Sequence, residues 1–452
     1  MPLRSSLLIS LIGLALYAVG QPYPPLPPIT IPASFTTHLP HTARSLSTTN
    51  EDRPMQLRIL VYGQSISEQK WWLQVRQFLQ QRYPAVDIVM ENRAIGGFSS
   101  DRLKLMVAND VAPFYPDLIL FHDYGGEPDY EQIIRVIRSH TTAEVLIQTD
   151  HIGVGQNQEW HDRHSEVWLP ALCNTYGLAL LDVRAAWKAY LQQYQLTPAA
   201  LLSDNVHLNE HGNYLMAQII TRYLEVLPRQ SDVPIPSVQT IRRGGDFSPK
   251  KDKIRLPVDG NRIDLIWKAG SVSQQPVAVT IDTRGPGTQL YSYYYTRPTL
   301  SGSRSFLNHM GQLLAMQLGG RPQAENWTLM VIAVDSARQQ IQFRVKGSQT
   351  GEDGAGSSDQ PFVSRSGRLR IDSTSWFRRR NPGDFRQFPW LKAGNQLHWQ
   401  VLSCCGNIVE RVSGGITTVV QGAPNAVHVL ELSGKGVHQI QAIRVYKPPL
   451  RP

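Results

Sequence analysis

Residues 57–65 read Leu57-Arg58-Ile59-Leu60-Val61-Tyr62-Gly63-Gln64-Ser65, a short and mostly apolar run that stops at a glycine. Such a run has the length and character of a buried strand. Behind it, Ser67 to Arg82 places Trp71, Trp72, Val75, Phe78 and Leu79 on one helical face. The pattern recurs downstream. Val86 to Met90, Leu118 to Phe121, Glu144 to Gln148 and Leu178 to Leu181 read as further strands. Ser100 to Ala108, Tyr130 to Ser139, Trp160 to Tyr176, Arg184 to Tyr194 and Glu210 to Leu227 read as helices. This alternation implies an α/β fold, a parallel sheet covered by helices on both faces. Ligands of such open sheets bind beyond the carboxyl ends of the strands. Ser65 and Gly97 both fall where a strand pattern has just ended.

On either side of this region the texture changes. Residues 1–20 carry Arg4, an apolar stretch from Leu7 to Val19, and the small residues Ala18 and Gly20 before Gln21, the pattern of a secretory signal peptide. The expected location is therefore secreted or periplasmic, with an uncleaved N-terminal anchor as the alternative. Residues 21–54, rich in proline, serine and threonine, read as an extended linker. Residues 55–230 hold the α/β pattern. From 240 to 452, alternating runs such as Val277 to Ile281, Trp327 to Val334, Ile341 to Val345 and Leu397 to Val401 are separated by glycine- and serine-rich turns. That half reads as an all-β, sandwich-like accessory domain.

A chain of 452 residues exceeds what one hydrophobic core supports, in keeping with two domains plus tails. The net charge of +9 is scattered instead of forming a block, and no nucleic-acid-binding motif accompanies it. The charge therefore points to an anionic polymer or the cell envelope, and not to nucleic acid. Three cysteines, Cys173 and the adjacent Cys404 and Cys405, cannot build a disulfide framework.

Ser65, Asp204 and His207 supply the three parts of nucleophilic catalysis. A serine hydroxyl attacks at neutral pH only when a base removes its proton, and the imidazole that does so needs a carboxylate to fix its tautomer. Asp204 lies three residues before His207 in Asp204-Asn205-Val206-His207, so one loop can present both to the serine. Taken singly, Ser65 reads as a helix N-terminal residue, His207 as a loop histidine and Gly97 as a turn residue. No G-x-S-x-G elbow is present.

Read together, Gly63-Gln64-Ser65, Asn92-Arg93-Ala94-Ile95-Gly96-Gly97 and Asp204-Asn205-Val206-His207-Leu208-Asn209-Glu210-His211-Gly212 resemble three sequence blocks of the SGNH, or GDSL-like, hydrolase superfamily. The resemblance covers residues 56–228. It implies a flavodoxin-like three-layer fold, a Ser65 nucleophile, His207 as base, Asp204 as its orienting partner, and the backbone N–H groups of Ser65 and Gly97 as oxyanion donors. It implies no cofactor and no metal. The Gly-Gln-Ser form looks like several carbohydrate acetylesterases, so the expected function is a secreted esterase removing small acyl groups from carbohydrate. Lipase, thioesterase and acyltransferase chemistry use the same parts and stay open. So does an envelope carbohydrate-binding protein of little or no activity.

The chain departs from the family at one block, G-x-N-D, whose asparagine adds a third oxyanion donor. Here the strand runs into His122-Asp123-Tyr124-Gly125-Gly126. The backbone of Gly125 or Gly126, or the His122 ring, is the expected substitute. His122, Asp123, Asp150 and His151, at the rim of the same sheet, are expected to contact substrate. In the β half, Trp376, Phe377, Trp390 and Trp399 beside Arg378-Arg379-Arg380 read either as core or as a surface for an acidic polysaccharide.

Overall fold

The computed structural model describes residues 23–47, 55–227, 237–270, 275–301, 313–377, 391–411 and 415–451. The leader-like residues 1–20, Arg378 to Arg380 and Trp390 lie outside them. Among the described residues no helix is long and apolar enough to cross a membrane.

The apolar runs form five parallel strands: β1 (Met55–Gly63), β2 (Val86–Asn92), β3 (Leu118–His122), β4 (Glu144–Gln148) and β5 (Ala179–Leu181). Their order is β2-β1-β3-β4-β5, the flavodoxin-like doubly wound order. Side chains alternate across the sheet. Leu57, Ile59 and Val61 of β1 enter one core with Val75, Leu79, Trp187 and Leu215, while Leu60 and Tyr62 enter a second core with Leu103, Ile133 and Ile137. Two covered faces explain why these strands read as continuous apolar runs. The chain reverses direction across the sheet between β1 and β3, and there the carboxyl ends leave a crevice. The stretch expected as one helix from Trp160 to Tyr176 is interrupted by a π-turn, His164–Trp168.

Residues 23–47, expected to be an extended linker, are packed onto the α/β unit. They contain short helices at Ala33–Thr36 and Pro40–Leu46. Leu39 and Leu46 enter the first core, and the buried Glu144 carboxylate accepts the Thr42 hydroxyl and the N–H groups of His41 and Thr42. The tyrosine hydroxyls of Tyr190 and Tyr194 donate to the carbonyls of Pro24 and Pro25. Proline gives this segment its extended start, but the apolar residues between the prolines hold it down.

The second half is antiparallel β, divided between two cores instead of one. Long strands Lys253–Trp267 and Ile416–Ser433 pair along their length and carry one core with Val279, Leu430 and Ile443. Described residues of 295–300, 313–376 and 391–401 form a separate lobe whose core holds Trp327, Phe343, Trp376, Leu397 and Trp399. Trp376, Phe377 and Trp399 are interior, at 4%, 6% and 2% exposure. The lobe is joined to the α/β unit through Arg297, whose guanidinium makes a bidentate pair with Asp110, both bonds 2.8 Å. Tyr62 on β1 donates to the same carboxylate.

Candidate active site

Strand β1 ends at Gly63, and Ser65 begins the helix Ser65–Glu68. Only glycine fits at 63. Its φ is +138°, and an added Cβ would lie 1.8 Å from the His122 carbonyl oxygen on β3. Ser65 follows two residues after this close approach and is half-buried. As the first helical residue, Ser65 also has a backbone N–H with no intrahelical acceptor.

The loop from Ser203 to Leu208 brings the other two residues to it. His207 Nδ1 donates to Asp204 Oδ2 at 2.7 Å, and His207 Nε2 lies 3.0 Å from Ser65 Oγ. Asp204 Oδ1 accepts the N–H groups of Val206 and His207, both at 2.7 Å. The His207 N–H is the main reason the Asp204 carboxyl is drawn down to about 2. Asp204 and His207 remain open to solvent, with side-chain exposures of 57% and 40%.

Several residues that the sequence reading passed over hold this loop in place. Leu208 N–H donates to Gln69 Oε1, and Trp71 N–H donates to Asn213 Oδ1, which ties the Ser65 segment to the His207 segment twice. Asn209 caps the helix Glu210–Glu225 by accepting the Gly212 N–H. From the loop after β4, His151 Nε2 donates to the Val206 carbonyl at 2.7 Å and Val154 N–H donates to the Asn205 carbonyl at 2.8 Å. A strand-end segment followed by loop polars was the available signal, but their partners are far away in sequence.

Gly97 has φ +75° and is exposed, and its N–H makes no hydrogen bond among the described residues. The preceding Gly96 N–H donates to Glu68 Oε2 at 2.9 Å, which fixes this turn against the Ser65 helix. Burial raises the Glu68 carboxyl above its usual range. Gly125 and Gly126, the other backbone donors expected here, lie in the turn after β3. An added Cβ at Gly125 would meet Ser100 Oγ at 2.1 Å, and the Gly126 carbonyl accepts the Asp129 and Tyr130 N–H groups at the start of the next helix. Close packing therefore requires glycine at 125, and Gly126 precedes the helix Glu127–His140 as its cap.

His122, Asp123, Asp150 and His151, expected at a substrate surface, lie beneath it at 3%, 2%, 1% and 0% exposure. Asp150 bridges two histidines, His122 Nε2 at 3.1 Å and His161 Nδ1. Burial opposes its charge, yet these two hydrogen bonds hold its carboxyl well below the usual range. Burial pushes Asp123 the other way, well above that range. These strand-end polars turn inward: His122 pairs with Asp150, and His151 braces the His207 loop through the Val206 carbonyl. Among the described residues no group of three or more histidines, cysteines or acidic residues is arranged to hold a metal.

No protein-family model and no curated protein matches the chain. Among solved structures, the chain is similar to the acetylxylan esterase Axe2 from Geobacillus stearothermophilus at 20% identity and a TM-score of 0.34, covering 38% of this chain and 95% of that one. It is similar to LAE5, an α/β hydrolase enzyme from the metagenome of Lake Arreo, at 18% identity and a TM-score of 0.34, covering 40% of this chain and 100% of that one.

Proposed function

We propose that this protein is a serine hydrolase acting on carboxylic esters, and that its substrates are small acyl esters, chiefly acetyl, carried on carbohydrate outside the cytoplasm. The observation that carries this reading is the relay from Ser65 Oγ through His207 to Asp204, at 3.0 and 2.7 Å. Asp204 keeps the Nδ1–H tautomer, which leaves Nε2 free to accept the serine proton. Ser65 Oγ attacks the ester carbonyl carbon as His207 takes its proton. The tetrahedral intermediate then expels the alcohol, which receives that proton. Water, deprotonated by His207, attacks the acyl-serine and releases the acid.

The Ser65 and Gly97 N–H groups are the donors for the negative oxygen of the intermediate. Gln64 has a part in preparing the nucleophile. Its Oε1 is 2.7 Å from Ser65 Oγ, while its Nε2 is buried without a hydrogen bond. The two ends of an amide are exchanged by a half-turn. In the exchanged orientation Nε2 donates to Ser65 Oγ and leaves the serine proton to His207.

The test compares wild type with Ser65→Ala and His207→Ala on p-nitrophenyl acetate and on a panel of acetylated polysaccharides. Each substitution is expected to lower kcat by about 10³-fold or more. Wild type that hydrolyses no ester, or Ser65→Ala that matches wild type, overturns the reading.

A further inference from the structure

A cleft of about 1000 Å³ separates the carboxyl end of β2 from the lobe whose core holds Trp327 and Trp399. That is the upper end of the range, roughly 300–1,000 Å³, that accommodates whole small molecules. Its far wall is a sheet in which strand Gln396–Ser403 pairs with Glu325–Asp335, placing Asn326 opposite Gln400 and Thr328 opposite His398. Along these strands Trp327 and Trp399 are buried while Asn326 and Gln400 are exposed, and all four line the cleft. The near wall holds Asn92, Arg93 and Asn109.

Two observations indicate what this cleft holds. The side-chain amides of Asn109, Asn326 and Gln400 have no hydrogen-bond partner among the described residues, so donors and acceptors converge on the cleft unused. The cations lining it are already neutralised, Arg93 by Glu91 at 2.8 Å and Arg297 by Asp110 at 2.8 Å. Amides beside the Tyr294 ring, with no net charge to offer, suit a neutral polyhydroxylated ligand.

The cleft adjoins the candidate active site. Asn92 Nδ2 donates to the Ser67 carbonyl at 2.7 Å, within the Ser65 helix. Arg93 is separated from Gly97 by only three residues, and the Gly96 N–H between them donates to Glu68 of the Ser65 helix at 2.9 Å. We propose that the cleft binds the neutral sugar chain on one side of the esterified residue, using Asn109, Asn326 and Gln400. This rests on the hydrolase reading for its function, but not for its binding.

The experiment measures calorimetric binding to the Ser65→Ala protein, with and without Asn109→Ala, Asn326→Ala and Gln400→Ala together. The probes are acetylated and deacetylated xylo- and manno-oligosaccharides, with oligogalacturonate as the acidic comparison. Neutral oligosaccharides are expected to bind, and the triple substitution to weaken them on the order of tenfold or more. With Ser65 present, the triple variant should turn over p-nitrophenyl acetate within about twofold of wild type, since the small ester does not reach the cleft. Unchanged oligosaccharide binding in the triple variant, no binding of any neutral probe, or tighter binding of oligogalacturonate overturns the proposal. If wild type is inert on every ester yet loses oligosaccharide binding on triple substitution, the cleft stands and the hydrolase reading falls.

Discussion

Replacing Asp204 by asparagine separates the orienting role of its carboxylate from its structural role. Oδ1 accepts two backbone N–H groups and Oδ2 accepts His207 Nδ1–H, all at 2.7 Å. An asparagine must keep its oxygen on the two backbone N–H groups, because its NH₂ there would set donor against donors. The NH₂ then faces His207 Nδ1, which must accept. The ring proton moves to Nε2, and Nε2 can no longer take the proton of Ser65. The expected loss in kcat is about 10⁴-fold, or about 5.4 kcal/mol of barrier. Folding stability should change by less than about 1 kcal/mol, since Asp204 is exposed and its loop contacts persist. The assay is steady-state hydrolysis of p-nitrophenyl acetate, with the His207 tautomer read from ¹⁵N chemical shifts. A kcat within tenfold of wild type, or a retained Nδ1–H, refutes the reasoning.

Three further outcomes follow from packing and charge. Gly63→Ala forces a Cβ to within 1.8 Å of the His122 carbonyl at φ +138°, and should cost about 2–4 kcal/mol in chemical denaturation while displacing Ser65. Arg297→Met leaves the Asp110 carboxylate buried without its cation and should cost about 3–5 kcal/mol, part of which Asp110→Asn in the same chain restores. His164 is stacked between Trp160 and Trp168 with no hydrogen bond to its ring, and burial lowers its pKa to about 4. Its unfolded form takes up a proton near 6.5 and its folded form only near 4, so its contribution is intact above 6.5 and is lost as pH falls toward 4. Relative to His164→Phe, wild type should lose up to about 3 kcal/mol across that window, measured as unfolding free energy against pH.

The strands of the α/β unit were legible because a sheet covered on both faces demands continuous apolar runs, and Leu57–Tyr62 or Glu144–Gln148 can hardly be read otherwise. Ser65, Asp204 and His207 were read from sequence blocks taken together, and the fold sets Ser65 Oγ 3.0 Å from His207 Nε2 although 142 residues separate them. What escaped is long-range. Nothing local in Gln69 or Asn213 announces that each bonds across to another element, and nothing in Asp150 shows that it faces two buried histidines. Residues 23–47 misled for a related reason, since proline composition describes the unfolded preference of a segment and not the surface that Leu39 and Leu46 find. Trp376 and Trp399 could be core or surface by composition, and the fold buries both, at 4% and 2% exposure.

The most direct test of the account is to treat the protein with a fluorophosphonate, which forms a covalent adduct with an activated serine, and to map the modified peptide by mass spectrometry. The account predicts one adduct, on Ser65, abolished by His207→Ala and by Ser65→Ala. An unlabelled Ser65, or labelling that persists after both substitutions, contradicts it.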